Sequence, residues 1–168
     1  MARANLTVDN EVVAAFKAAQ EPTSNIRYLQ IEIADGKEEM SLAASVEKTG
    51  DCQSDFEFDA LVPALLPDKA CIIMFRVDST IDAPSGDDAA ASTVFQGQGK
   101  AEYWLMLCWT PETARVREKM MYSSSREDLK EALGRALITQ EFSATCEKEV
   151  SWALYQVRKS HKAYKATI

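Results

Sequence analysis

The stretch Trp109-Thr-Pro-Glu-Thr-Ala-Arg115-Val-Arg117-Glu-Lys119-Met120-Met-Tyr122-Ser-Ser-Ser125-Arg-Glu-Asp-Leu-Lys-Glu-Ala-Leu-Gly134 decides the reading of this chain. Its punctuation is helical. Thr110 suits an N-cap, Pro111 the first helical position, and Glu112 a place where the helix dipole favours negative charge. At about 100° per residue, Arg117 and Met120 share a stripe with Thr113 and Ser124, and Val116 and Lys119 lie on one flank. Ser125-x-x-Asp128 reads as a second capping signal, so a kink or restart is expected near Ser123 to Ser125, and Gly134 suits the C-terminal cap. From periodicity alone the stripe is a solvated helix face with one partly exposed Met.

Upstream, the runs Cys71 to Phe75 and Tyr103 to Trp109 are apolar at nearly every position. Strands hydrophobic on both faces must be covered on both, which predicts central strands between helical layers. Val8, Val12, Phe16 and Ala19 recur at helical spacing after Asn5 to Thr7, predicting an amphipathic helix that ends near Gln20 to Pro22. Leu29, Ile31 and Ile33, then Met40, Leu42, Ala44 and Val46, alternate around Asp35-Gly36, which predicts a hairpin. Phe56, Phe58, Leu61, Val62, Leu65 and Leu66 form an apolar cluster interrupted by Pro63, consistent with a short kinked helix. Ser79 to Lys100, rich in Ala, Ser, Gly and Asp, reads as an excursion without a core of its own. After the quoted helix come a short apolar stretch at Leu137 to Ile138 and a helix from about Glu147 to Lys159, with Val150, Leu154 and Val157 on one stripe.

At 168 residues the chain is expected to be one domain with a sizeable core. Cys52, Cys71, Cys108 and Cys146 form no C-x-x-C pair, which fits buried free thiols in a reducing compartment. No apolar stretch approaches about 18 residues and no signal-peptide pattern opens the chain, so a soluble cytoplasmic protein is expected. A net charge of −7 argues against a nucleic-acid partner. The charge is uneven: Asp78, Asp82, Asp87 and Asp88 make an acidic stretch, whereas Arg158, Lys159, Lys162 and Lys165 make a basic end. That basic run is either a solvated tail or a contact for an acidic partner or an anionic lipid headgroup.

Enzymatic readings lack parts. His161 is the only histidine, so histidine triads and His-rich metal sites cannot be assembled. Gly97-Gln-Gly99-Lys100 echoes a phosphate loop, but Val94 and Ala101 stand where a glycine and a Ser or Thr are needed, and a strand follows it instead of preceding it. Asp87-Asp88 and Glu38-Glu39 read as solvated turns or edges. No catalytic residue, metal ligand or cofactor is expected.

The Trp-x-Pro-Glu start, the cations Arg117 and Lys119, then Met120 and Tyr122 resemble the long helix of the actin-depolymerising factor homology (ADF/cofilin) domain, and the order of elements is similar from about Leu6 to Tyr155. Within that family the likeness is to the N-terminal domain of twinfilins, on Leu66-Pro-Asp-Lys-Ala-Cys-Ile-Ile-Met-Phe75-Arg76-Val-Asp78-Ser79, Val116 to Tyr122, and Thr145-Cys-Glu-Lys-Glu-Val150-Ser151 with Tyr155. The resemblance implies an α/β fold with a central mixed five-stranded sheet between helices on both faces. It implies a domain over 5–160, with 161–168 a basic tail or linker.

It also reverses the bland reading of the helix face. Monomeric actin is the implied partner of a monomeric chain in the cytoplasm and actin cytoskeleton. Arg117 and Lys119 would meet acidic groups, Met120 would fill an apolar pocket, and Val116, Thr113 and Ser124 would flank them; Ala2 to Asn5, Val150 and Ser151 are implied as outlying contacts. Filament-binding relatives carry a second basic site on the hairpin before the Trp-x-Pro strand and on the last helix. Here the hairpin offers only Lys100, and the last helix delays its cations to Arg158 and Lys159. Those three are the candidates for filament or anionic phosphoinositide contact, and they predict monomer sequestration with weak filament binding. The alternative is a stand-alone ADF/cofilin-like filament-disassembling factor. Its phosphorylation switch, a serine close to the N-terminus, has no counterpart in Met-Ala-Arg-Ala-Asn.

Overall fold

The two doubly apolar runs do become the centre of the molecule. In the computed structural model, which describes residues 6–21, 23–34, 36, 38–50, 54–78, 102–138 and 140–158, Cys71–Asp78 and Glu102–Trp109 are antiparallel neighbours in register from Cys71 opposite Trp109 to Asp78 opposite Glu102. In chain order the strands are β1 (Thr7–Val8), β2 (Ile26–Ile33), β3 (Glu39–Glu47), β4 (Cys71–Asp78), β5 (Glu102–Trp109) and β6 (Gln140–Ala144). The helices are α1 (Asn10–Ala19), α2 (Ser54–Asp59), α3 (Val116–Leu133) and α4 (residues 152–158). The sheet runs β1-β3-β2-β4-β5-β6. Only its outermost pairs are parallel.

Each face of the sheet is roofed by two helices. On one, Val12 and Phe16 of α1 and Tyr122, Leu129 and Leu133 of α3 pack over Leu29, Ile31, Ile72, Met74, Met106 and Cys108. On the other, Phe58 of α2 and Trp152 and Tyr155 of α4 cover Cys71, Ile73, Phe75, Leu105, Leu107 and Phe142. Phe58 is the hub there, edge-on to Phe75 at 5.3 Å and to Trp152 at 5.7 Å. The mixed sheet between helical layers is therefore as expected, and the hairpin also forms, whereas the single short kinked helix expected before β4 is two pieces, α2 and a 3-10 turn at Val62–Ala64.

The strand count is six and not five. Thr7 and Val8, read as the lead-in and first turn of a helix, pair with Glu39 and Met40, because Asp9 takes the N-cap of α1 with its side chain accepting from Glu11 N at 3.0 Å. The short apolar stretch at Leu137 to Ile138 closes a 3-10 turn (Arg135–Leu137), and β6 starts two residues later. The final helix is also split: Glu147–Glu149 form a 3-10 turn, and α4 buries Trp152 and Tyr155 in place of Val157, which is exposed.

Two buried arginines close the core at its polar seams. Arg27 pairs with Glu57 and donates from Nη1 to Arg76 O at 2.9 Å. Arg76 donates to Ala19 O and Ser24 O at 3.3 and 2.9 Å, satisfying carbonyls at and just beyond the end of α1. The segment 79–101 and its Lys100 lie outside the described residues, as do residues 1–5 and 159–168 with Lys159.

Candidate functional site

The start of α3 is set by its surroundings and not by Thr110 and Pro111. Thr110 N donates to Ala144 O at 3.0 Å and Glu112 N to Thr145 O at 3.2 Å, prolonging the ladder between β5 and β6. The Thr113 hydroxyl donates to Pro67 O. These bonds hold the segment from Thr110 to Thr113 against β6 and the loop at Pro67, and the helix begins only at Val116, with Arg115 as an N-cap whose side chain makes no capping bond. Thr113 is consequently on the turn before the helix and off the expected stripe.

From Val116 onward the helix is continuous to Gly134, whose φ of 106° ends it. The expected kink at Ser123 to Ser125 does not occur. Ser124 Oγ donates to Met121 O and Ser125 Oγ to Tyr122 O, each at 3.1 Å, so these serines bond back into their own helix and do not cap a new one.

The face this produces has an exposed apolar pair one turn apart, Val116 (71% exposed) and Met120 (66%), with the exposed Arg117 beside them. Ser124, half-buried, continues the row. Lys119 behaves differently: its Nζ donates to Glu112 O at 2.7 Å, bracing the turn that leads into α3. Below the surface, Glu118 Oε1 accepts from Ala70 N at 2.7 Å and the Tyr122 hydroxyl accepts from Ile33 N at 2.7 Å. Burial pushes the Tyr122 phenol well above its ordinary value, so it stays neutral. Glu118, which ties the helix to Ala70, went unnoticed in the sequence; an acidic residue in a helix's first turn carries a dipole explanation that hides a tertiary one.

The outlying contacts divide. Val150 is buried at 4% and belongs to the aromatic core, leaving Ser151 as the half-exposed member. A carboxylate clasp fixes that segment. Glu149 Oε1 accepts from Thr145 N at 3.1 Å and Thr145 Oγ1 at 2.7 Å, and its Oε2 pairs with Arg158 Nη2 at 2.7 Å. These bonds, the Thr145 hydroxyl first, lower the Glu149 carboxyl to about 2. Trp152 N donates to Asp59 Oδ1 at 2.8 Å, tying the start of α4 to α2.

Arg158, expected as a surface contact, is engaged within the fold. Besides Glu149 it donates to Ser143 O at 2.9 Å and lies 4.7 Å from the centre of the Phe142 ring. Among the described residues no cluster of His, Cys, Asp and Glu could hold a metal ion, and no helix is long and apolar enough to cross a membrane.

Over residues 5–158 the chain matches the protein family described as "Cofilin/tropomyosin-type actin-binding protein". It is 32% identical over 145 residues to a twinfilin of Drosophila melanogaster, covering 86% of this chain and 37% of that protein. With a twinfilin of Aedes aegypti the identity is 34% over 134 residues, 79% of this chain and 33% of that protein. The chain thus spans about a third of the length of these curated relatives. Among solved structures it superposes on Eh twinfilin with a TM-score of 0.69 at 23% identity, covering 93% of this chain and 99% of that one. It superposes on a Streptomyces griseoflavus cofilin with a TM-score of 0.67 at 17% identity, covering 93% and 98%. At those identities the structural likeness speaks to the fold.

Proposed function

This chain belongs to the family of cofilin/tropomyosin-type actin-binding proteins, and from that membership we propose that it binds monomeric actin and withholds it from filaments, a regulator of actin dynamics in the cytoplasm. The observation that carries the reading is the exposed pair Val116 and Met120 beside Arg117 at the start of α3. Two large apolar side chains one turn apart on a rigid helix make an anchor that a partner can desolvate. Arg117 supplies a cation for an acidic partner, and the N-terminal end of the helix, without a side-chain cap, favours negative charge. Thr113, Ser124 and Ser151 form the rim of this contact.

Weak filament binding is part of the proposal. Arg158 is held by Glu149 and Ser143, so gripping a second subunit would require breaking an internal ion pair. Of the candidates for anionic phosphoinositide headgroups, that leaves Lys100 and Lys159, both outside the described residues. The filament-disassembling alternative would call for a free basic surface on α4.

A monomer titration beside filament cosedimentation separates the two readings. Arg117→Ala with Met120→Ala should weaken monomer binding by roughly 2 to 4 kcal/mol while the fold persists, the range for truncating central interface anchors. Unchanged affinity in the folded double variant would remove the site assignment. Saturable filament binding at physiological salt would favour the disassembling factor.

A further inference from the structure

We propose that Leu66 is a third apolar contact of the actin-binding surface, presented by a loop locked against the start of α3; this rests on the reading above of that face as the monomer site. Among the described residues five large apolar side chains stand exposed: Leu66, Val116, Met120, Leu137 and Val157. Three of the five gather where β4, β5 and α3 begin or end. Leu66 is 47% exposed although its neighbour Leu65 is buried. The backbone at Leu65 is extended, with φ −86° and ψ 128°, so consecutive side chains point to opposite sides and only one of the pair can enter the core.

The loop that carries Leu66 is bonded at three successive points to the elements that build the site. Leu66 O accepts from Trp109 Nε1 at 2.8 Å, Pro67 O accepts from the Thr113 hydroxyl, and Ala70 N donates to Glu118 Oε1 at 2.7 Å. One residue spans at most about 3.6 Å of chain, so the bond from Pro67 to Thr113 holds Leu66 beside the turn that runs into Val116. Its side chain is therefore an extension of the Val116 and Met120 row by a second, separate piece of chain. A loop already fixed this way loses little freedom when a partner covers it.

The charges around the row suit the same acidic partner. Lys69, Arg115 and Arg117 are exposed there with Asp68 and Glu112, a slightly cationic neighbourhood on a chain of net charge −7. Actin monomer is the occupant to which these features point. Leu66 would decide how firmly the start of α3 seats, since an apolar contact from outside the helix resists rotation about the helix axis.

The test compares Leu66→Glu, Leu66→Ala and Met120→Ala with the parent chain, using thermal unfolding and titration of actin monomers. Leu66→Glu should lower affinity by about tenfold or more and Leu66→Ala by about threefold to tenfold, with unfolding temperatures little changed because the side chain is exposed. If Met120→Ala weakens binding and both Leu66 variants bind within twofold of the parent, the inference is overturned and the site reading stands. If all three bind like the parent, the site reading falls and Leu66 with it. Should the charged variant fold poorly, the alanine variant alone decides between these outcomes.

Discussion

Replacing Glu149 by Gln removes one negative charge from the clasp that joins Thr145 to Arg158 and leaves an oxygen in place for the Thr145 donors. The change isolates the charge. A carboxyl lowered from 4.5 to about 2 corresponds to an upper bound of about 3 kcal/mol. The side chains of Glu149 and Arg158 are 27% and 42% exposed, and solvent screening brings the expected loss to about 1 to 2 kcal/mol at pH 7. The sign follows from the direction of the shift. Because the folded value lies below the unfolded one, the stabilisation is full above about pH 5 and disappears as pH falls through 2. Urea unfolding of parent and Glu149→Gln should therefore differ by that amount at pH 7, and by roughly half or less at pH 3. An equal difference at both pH values would mean that the lost stability is not the carboxylate's charge. No difference at pH 7 would mean that the clasp is an accessory of the fold.

Two further outcomes are expected. Tyr122→Phe leaves Ile33 N without its acceptor under α3 and should cost about 1 to 2 kcal/mol in urea unfolding, with faster amide exchange at Ile33; an unprotected Ile33 amide in the parent chain would contradict the bond. In the folded chain, thiol-specific reagents should modify the exposed Cys146 readily and Cys71 and Cys108 only on unfolding, since burial pushes those two thiols up to about 12 and about 11. Comparable labelling rates for Cys71 and Cys146 would refute that.

What the sequence revealed and what it concealed divide along the range of the forces involved. The central strands were legible because Ile72, Ile73, Met74, Leu105, Met106 and Leu107 leave no polar face to put in water. The α1 face was legible at helical spacing through Val12, Phe16 and Ala19, all fully buried. By contrast β6, reading Gln-Glu-Phe-Ser-Ala, has one large apolar residue and no β-branched one, so only its pairing with β5 makes it a strand. The beginning of α3 was misplaced by five residues for a similar reason. A well-formed local capping signal lost to hydrogen bonds offered by Ala144, Thr145 and Pro67, all far along the chain.

The site shows the same split. Arg117 and Met120 were expected on an exposed helix stripe with Val116 on its flank, and the fold does leave all three outside. Leu66 was counted with the core, since its exposure depends on an extended turn at Leu65 that composition does not announce. Arg158 looked like a free cation because Glu149, Ser143 and Phe142, the groups that hold it, are nine to sixteen positions away. Arg27 and Arg76, fully inside, show how far a charged residue can be drawn into a core when carboxylates and helix-end carbonyls await it.

The bond from Arg158 to Ser143 bears on association between copies of the chain. β6 is the last strand of the sheet. Ala144 O faces β5, where Thr110 N reaches it, so by alternation Ser143 O faces outward, where another chain could add a strand. A guanidinium occupies that acceptor, and Lys130 is paired to Glu141 two residues earlier. Long cationic side chains over an open edge deter edge-to-edge pairing. Side chains from two helices thus lie along the outer edge of β6 and make it a poorer template for pairing with another copy.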